Sequence, residues 1–233
     1  MPNEQINNTL LLEGEKFEDL QLDGLQIIQS DKLYRFTSDS VLLANYVKVK
    51  NGDTVIDLGT GSGIIAILVS KKTDAGKIVG VEIQTELADM ATRSVSFNKL
   101  DDKVKIKNID LRDAYKVLGN ESADIVVCNP PYEKSNQQLG ENANIAGCNA
   151  ELLATLEDFA KSAKQLLKYS GKFYLIIKAK RMSETLCILS KHGLEPKVIT
   201  LVVRDKNEEA DTVMIEAKKG GSTGVKVTIQ KEN

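Results

Sequence analysis

Two short stretches contain residues whose types and spacing could do chemistry. In the first, an apolar run from Ile125 to Cys128 stops at Asn129, Pro130, Pro131 and Tyr132. Two prolines end a strand at once and stiffen the turn, so the stretch holds out one amide and one aromatic ring. Such groups orient and stack a ligand, and neither is a strong base. In the second, Asp57 is followed by Gly59, Gly61 and Gly63 and then by another apolar run. Glycines at a strand end let backbone amides approach a ligand closely. The spacing is not that of a dinucleotide fingerprint, because Ile64 stands where the third glycine would be and Gly63 comes one residue early. Glu82 and Asp110 close the next two strand-like runs, so three successive runs end in acids. Three carboxylates would repel a pyrophosphate but would welcome a cationic, ribose-bearing ligand. S-adenosyl-L-methionine fits that description.

These residues need a scaffold, and the chain reads as one. From Thr54 onward, strand-like runs (54–58, 77–83, 104–110, 123–129, 172–178) alternate with segments of helical spacing (63–72, 85–99, 150–168, 181–193). Two more strands are expected at 196–203 and 212–219. The alternation predicts an α/β fold, a doubly wound, mostly parallel seven-stranded sheet with an antiparallel edge strand. Upstream, Asp23-Gly24 between alternating apolar positions predicts a hairpin, and the segment 37–48 reads as a capped helix. We therefore expect residues 1–50 to pack on a core domain of residues 51–219. The glycine- and lysine-rich residues 220–233 are expected to form a loosely ordered tail.

Composition excludes several classes. The chain has 233 residues with 42% hydrophobic content and a net charge of −2, enough for a full core but not for a generally basic nucleic-acid binder. No apolar run approaches eighteen residues, and the first ten residues lack a signal core, which predicts a cytoplasmic protein. Cys128, Cys148 and Cys187 have no metal-ligand spacing, so no metal is expected. His192, the one histidine, sits in a segment that reads as a helix end, where it favours the dipole.

The stretches "DLGTGSG", "VGVEIQ", "NIDLRD" and "NPPY", in this order and spacing, resemble class I S-adenosylmethionine methyltransferases of the amino-methylating group. The resemblance extends through "DGLQIIQSDKLYRFTSDSVLLANY", "GKFYLIIKAKR" and "DTVMIEAKK", and so covers most of the chain. It is nearest to the bacterial tRNA (adenine-N6)-methyltransferase family, which acts on the adenine immediately 3′ of the anticodon in valine tRNA. That resemblance implies a tRNA substrate. It also implies that Asp57, Gly59 and Gly61 line the methionine portion of the cofactor, that Glu82 holds the ribose, and that Asp110 and Leu111 meet the adenine ring. Thr37, in "YRFTSDS", would close over the cofactor. The sequence departs from the family pattern at Glu133, where an apolar residue is common, and at Gly147-Cys148, where an Arg-His pair is expected.

An exocyclic adenine amine is a poor nucleophile, because its lone pair is delocalised into the ring. The side-chain carbonyl of Asn129 and the backbone carbonyl of Pro130 would hold its two N–H groups and turn the lone pair toward the methyl donor. Asn129 would also border the cofactor, and Tyr132 would stack the base, which is worth about 1–3 kcal/mol. Lys178, Lys180 and Arg181, at the end of the fifth strand, would contact RNA phosphates. Methyltransferases of release-factor glutamine carry the same tetrapeptide, since an amide nitrogen poses the same problem. A cofactor-bound RNA-binding protein without activity is a third reading.

Overall fold

The computed structural model describes residues 10–33, 35–131, 154–204 and 209–232. Tyr132, Glu133 and the loop from Ser135 to Asn149, with Gly147 and Cys148, lie outside the described residues. Strand β3 (Thr54–Leu58) leads through the glycine loop to helix α2 (Ile64–Lys72). Strand β4 (Lys77–Glu82), helix α3 (Thr85–Phe97) and strand β5 (Val104–Asn108) follow. The short helix α4 (Ala114–Leu118) precedes β6 (Ala123–Cys128), and α5 (Leu156–Leu166) runs into β7 (Leu167–Lys178). After α6 (Met182–Lys191) come β8 (Leu194–Val203), β9 (Ala210–Lys219) and β10 (Lys226–Lys231). Ahead of them lie a hairpin, β1 (Glu15–Asp19) with β2 (Gln26–Ser30), and helix α1 (Ser38–Tyr46).

The sheet order is β10-β8-β9-β7-β6-β3-β4-β5, with β9 antiparallel to both its neighbours. The strands hold apolar side chains on both faces, as a sheet covered by helices on both sides requires. Ile56, Leu58, Val126, Phe173 and Leu175 face the side covered by α5 and α6. Val55, Ile125, Val127, Tyr174 and Ile176 face α1 and α2. Each layer is thus a single apolar mass, and the sheet between them cannot slip by one residue without turning every side chain over.

Four expectations are corrected. The sheet has eight strands rather than seven, because Lys226–Lys231, in the segment expected to be loosely ordered, pairs in parallel with β8. The antiparallel strand β9 is not the edge strand; it doubles back between β7 and β8. The hairpin's connecting turn is also longer than Asp23-Gly24 alone implied. Leu20 and Leu25 close an inner turn by main-chain bonds, and pairing begins at Asp19 opposite Gln26. The helix expected to reach Lys168 stops at Leu166, and β7 takes over at Leu167.

The upstream segment packs on the helices that flank the glycine loop. Ile28 of β2 rests with Leu87 and Met90 of α3. The backbone N–H of Ile28 donates to Ser94 Oγ at 3.0 Å, and Arg93 of α3 pairs with Glu15 at 2.6 Å.

Candidate active site

Sheet register brings the two chemical stretches together. Leu58 of β3 pairs with Cys128 of β6, so the loop starting at Gly59 and the turn starting at Asn129 leave the sheet as immediate neighbours. Leu58 also pairs with Val81, and Glu82 with Asn108, which sets Glu82 at the same edge. Strand order reverses between β3 and β6, β4 and β5 running to one side and β7 to the other. Ligands of doubly wound sheets bind at that crevice.

The glycine loop is shaped by the acids beneath it. Asp57 is fully buried, and its Oδ2 accepts a 2.5 Å hydrogen bond from the Thr60 hydroxyl. Its Oδ1 has no hydrogen-bond partner among the described residues. Burial pushes its carboxyl from the usual 3.8 up to about 7; nearby Glu82 adds to the rise and the Thr60 hydroxyl opposes it. Glu82 is 5% exposed; one oxygen accepts the Gly61 N–H and the other the Gln84 N–H, both at 2.9 Å. Its pKa is also raised by burial, against those backbone donors. Gly61 has a φ of +56°, and a Cβ placed there would meet nothing within 4 Å. Gly59 differs: at φ +69°, its Cβ would come within 3.3 Å of the Phe159 ring on α5. The loop is therefore packed from below at Gly59 and open at Gly61.

The raised Asp57 has a consequence for stability. A carboxyl that holds its proton more tightly folded than unfolded contributes fully below the usual aspartate range. That contribution is lost as pH climbs toward about 7, at ~1.4 kcal/mol per pH unit while only the folded state stays protonated. Glu82 acts with the same sign. Denaturant melts of wild type at about pH 5 and about pH 8 should show a larger loss on raising pH than melts of Asp57→Asn. Parallel losses in the two proteins would mean that Asp57 titrates normally.

Asp110 caps the 3₁₀ turn Leu111–Asp113 by accepting the Arg112 N–H at 2.9 Å. The Arg112 guanidinium also grips it and is the main reason its pKa is lowered. Leu111 is buried, and its carbonyl accepts the Ser162 hydroxyl at 2.8 Å. Thr37 is exposed at the N-cap of α1, and its side chain makes no capping bond.

Asn129 is half-buried, and its Nδ2 donates to Ser40 Oγ on α1 at 2.9 Å. Pro130 is buried, and the Pro131 carbonyl accepts from Arg181 Nη1 at 3.1 Å. Ser40 was invisible to sequence reasoning. The one available signal was the polar pair Asp39-Ser40 in a helix whose next buried residues are leucines.

The basic cluster divides. Lys178 donates to Asp39 at 3.0 Å and to Thr212 at 3.2 Å, while Arg181, 9% exposed, holds Pro131 and Glu184. Both cations brace the fold, and Lys180 is the member that is exposed. His192 caps the C-terminus of α6 and lies 3.1 Å from Glu157. Burial raises the Cys128 thiol well above its usual range, which leaves it inert. No helix among the described residues is long and apolar enough to cross a membrane.

A mostly parallel sheet that reverses at β3 and β6, with helices on both faces, is the fold of the Rossmann-like methyltransferases. The fold is shared with a predicted O-methyltransferase from Agrobacterium tumefaciens, at a TM-score of 0.65 and 21% identity over 83% of this chain and 85% of that one. The chain belongs to the methyltransferase small domain family, whose model matches residues 34–199. Among curated proteins it is 25% identical to the tRNA1(Val) (adenine(37)-N6)-methyltransferase of Aeromonas hydrophila, over 78% of this chain and 76% of that protein. It is likewise 25% identical to the protein of that name in Christiangramia forsetii, over 80% and 76%.

Proposed function

We propose that this protein transfers a methyl group from S-adenosyl-L-methionine to the exocyclic N6 amine of an adenine in tRNA, next to the anticodon. The observation that carries the reading is the sheet register that sets the Asn129 turn beside the glycine loop. The names of the curated relatives support the tRNA adenine as acceptor.

The residues present suit the cofactor. Gly61 offers an uncovered backbone, and Asp57 Oδ1 is a buried acceptor without a hydrogen-bond partner among the described residues. A carboxylate has about four lone-pair sites, so Glu82, with one N–H on each oxygen, keeps capacity for two ribose hydroxyls. Gly59, Gly61 and Glu82 would hold the cofactor from the sheet side, Asp110 and Leu111 its adenine, and Thr37 would cover it. The bound cofactor supplies an electrophilic methyl group.

The chain's own task is then to hold an amine in line. Asn129 and the Pro130 carbonyl accept its two N–H groups, and Tyr132 stacks the base. Fixing the angle of approach lowers the barrier by removing rotational freedom before the reaction. No strong base is required beforehand, because the amine becomes acidic only as it is methylated. Lys180 contacts an RNA phosphate near this edge.

The test is a labelling assay with tritiated cofactor, offered either total tRNA or a release factor carrying a glutamine. Label in tRNA that digests to N6-methyladenosine is the expected result. Label in the protein alone would transfer the same machinery to an amide nitrogen, and label in neither would overturn the reading.

A further inference from the structure

We propose that Ser40 is a positioning residue for the Asn129 amide, fixing the face that meets the acceptor amine; the inference rests on the function proposed above. An asparagine side chain has nearly the same shape with its oxygen and nitrogen exchanged. Only the oxygen can accept an N–H, so the site needs something that holds the amide one way round. In the structure Ser40 Oγ accepts from Asn129 Nδ2 at 2.9 Å. With the nitrogen turned toward α1, Oδ1 lies at the other edge of the planar amide group.

Ser40 can do this because the first turn of α1 is itself held. Thr37 makes no side-chain cap, so the usual anchor of a helix start is missing. The neighbouring Asp39 replaces it. Its side chain is 4% exposed, with Oδ2 on Lys178 at 3.0 Å and Oδ1 on Arg204 at 2.6 Å. Arg204 follows β8 and also pairs with Glu232, beyond β10, at 2.7 Å. The two cations come from the ends of β7 and β8, so Asp39 pins the helix start to the sheet edge from which Asn129 emerges. Ser40 is 4% exposed, so water does not readily compete for the bond.

The experiment compares Ser40→Ala, Ser40→Cys and Ser40→Thr with wild type. Ser40→Ala and Ser40→Cys should lower kcat about 10- to 100-fold through loss of alignment, with the KM for RNA and the Kd for cofactor changed less than about twofold. Ser40→Thr, which keeps the hydroxyl, should restore kcat. In an Asn129→Ala background, Ser40→Ala should cost nothing further, because the group it positions is gone. A wild-type kcat in the alanine variant, or an undiminished further loss in the double variant, would overturn the proposal. A readout independent of turnover is the side-chain NH₂ resonance of Asn129, assigned by its absence from Asn129→Ala. It should shift and exchange faster in Ser40→Ala; an unchanged resonance refutes the bond. If wild type labels no tRNA, the functional reading fails on that ground alone, and the resonance still decides whether Ser40 holds the amide.

Discussion

An Asn129→Ala enzyme should turn over about 10²- to 10³-fold more slowly than wild type, the scale seen when one preorganised hydrogen-bonding group is taken from a transition state. The amide acceptor matters most while the amine rehybridises, so binding of cofactor and RNA should change little. Tyr132→Phe keeps the flat face and should retain most activity, whereas Tyr132→Ala should weaken capture of the base and slow transfer. If the turn were only a strand terminator, each variant would lose activity in proportion to lost folded protein. Thermal melts alongside the kinetics separate the two cases. Equal activity per folded molecule for Asn129→Ala and wild type would remove the residue from the mechanism.

Glu82→Ala should weaken S-adenosyl-L-methionine binding by about 1.5–3 kcal/mol, or roughly 10- to 150-fold, the usual worth of hydrogen bonds to a charged group. Two losses combine in this variant. The ribose hydroxyls lose their acceptor, and the Gly61 N–H loses the carboxylate that draws the loop toward β4. Calorimetry with the cofactor and with its demethylated product measures the effect. If neither ligand binds even the wild-type protein, the glycine loop serves something else. NAD should bind neither protein, given the early third glycine.

Most residues of the candidate site stood out in the sequence, because their types are ones that few roles demand. A turn that needs a left-handed backbone takes glycine, and a strand that must stop takes proline. Acids at Asp57, Glu82 and Asp110 could be placed on one edge simply by counting strand and helix lengths. The parts that stayed hidden are pairings between distant positions. Ser40 and Asn129 are 89 positions apart, and Asp39 and Arg204 are 165 apart. Nothing local in either partner announces the other. The partners of Lys178 and Arg181 stayed hidden for the same reason: a lysine and an arginine at a strand end look alike whether they face an RNA phosphate or groups of the fold itself. Strand β10 was missed because glycines and lysines at 218–224 outweighed the alternation of Val227 and Ile229, whose side chains are exposed.

The bond from Arg204 to Asp39 also sets a timetable. A ribosome delivers α1 long before β8, and closing a loop of this length carries an entropic cost that later contacts must repay. The glycine loop, the acids and the Asn129 turn are all synthesised by the time β6 and its turn emerge. The helix start that carries Ser40 is fastened first by Lys178 and then by Arg204, which lies some seventy-five residues beyond Asn129. A nascent chain therefore carries the glycine loop, the acids and the Asn129 turn before the helix start that holds the Asn129 amide is locked.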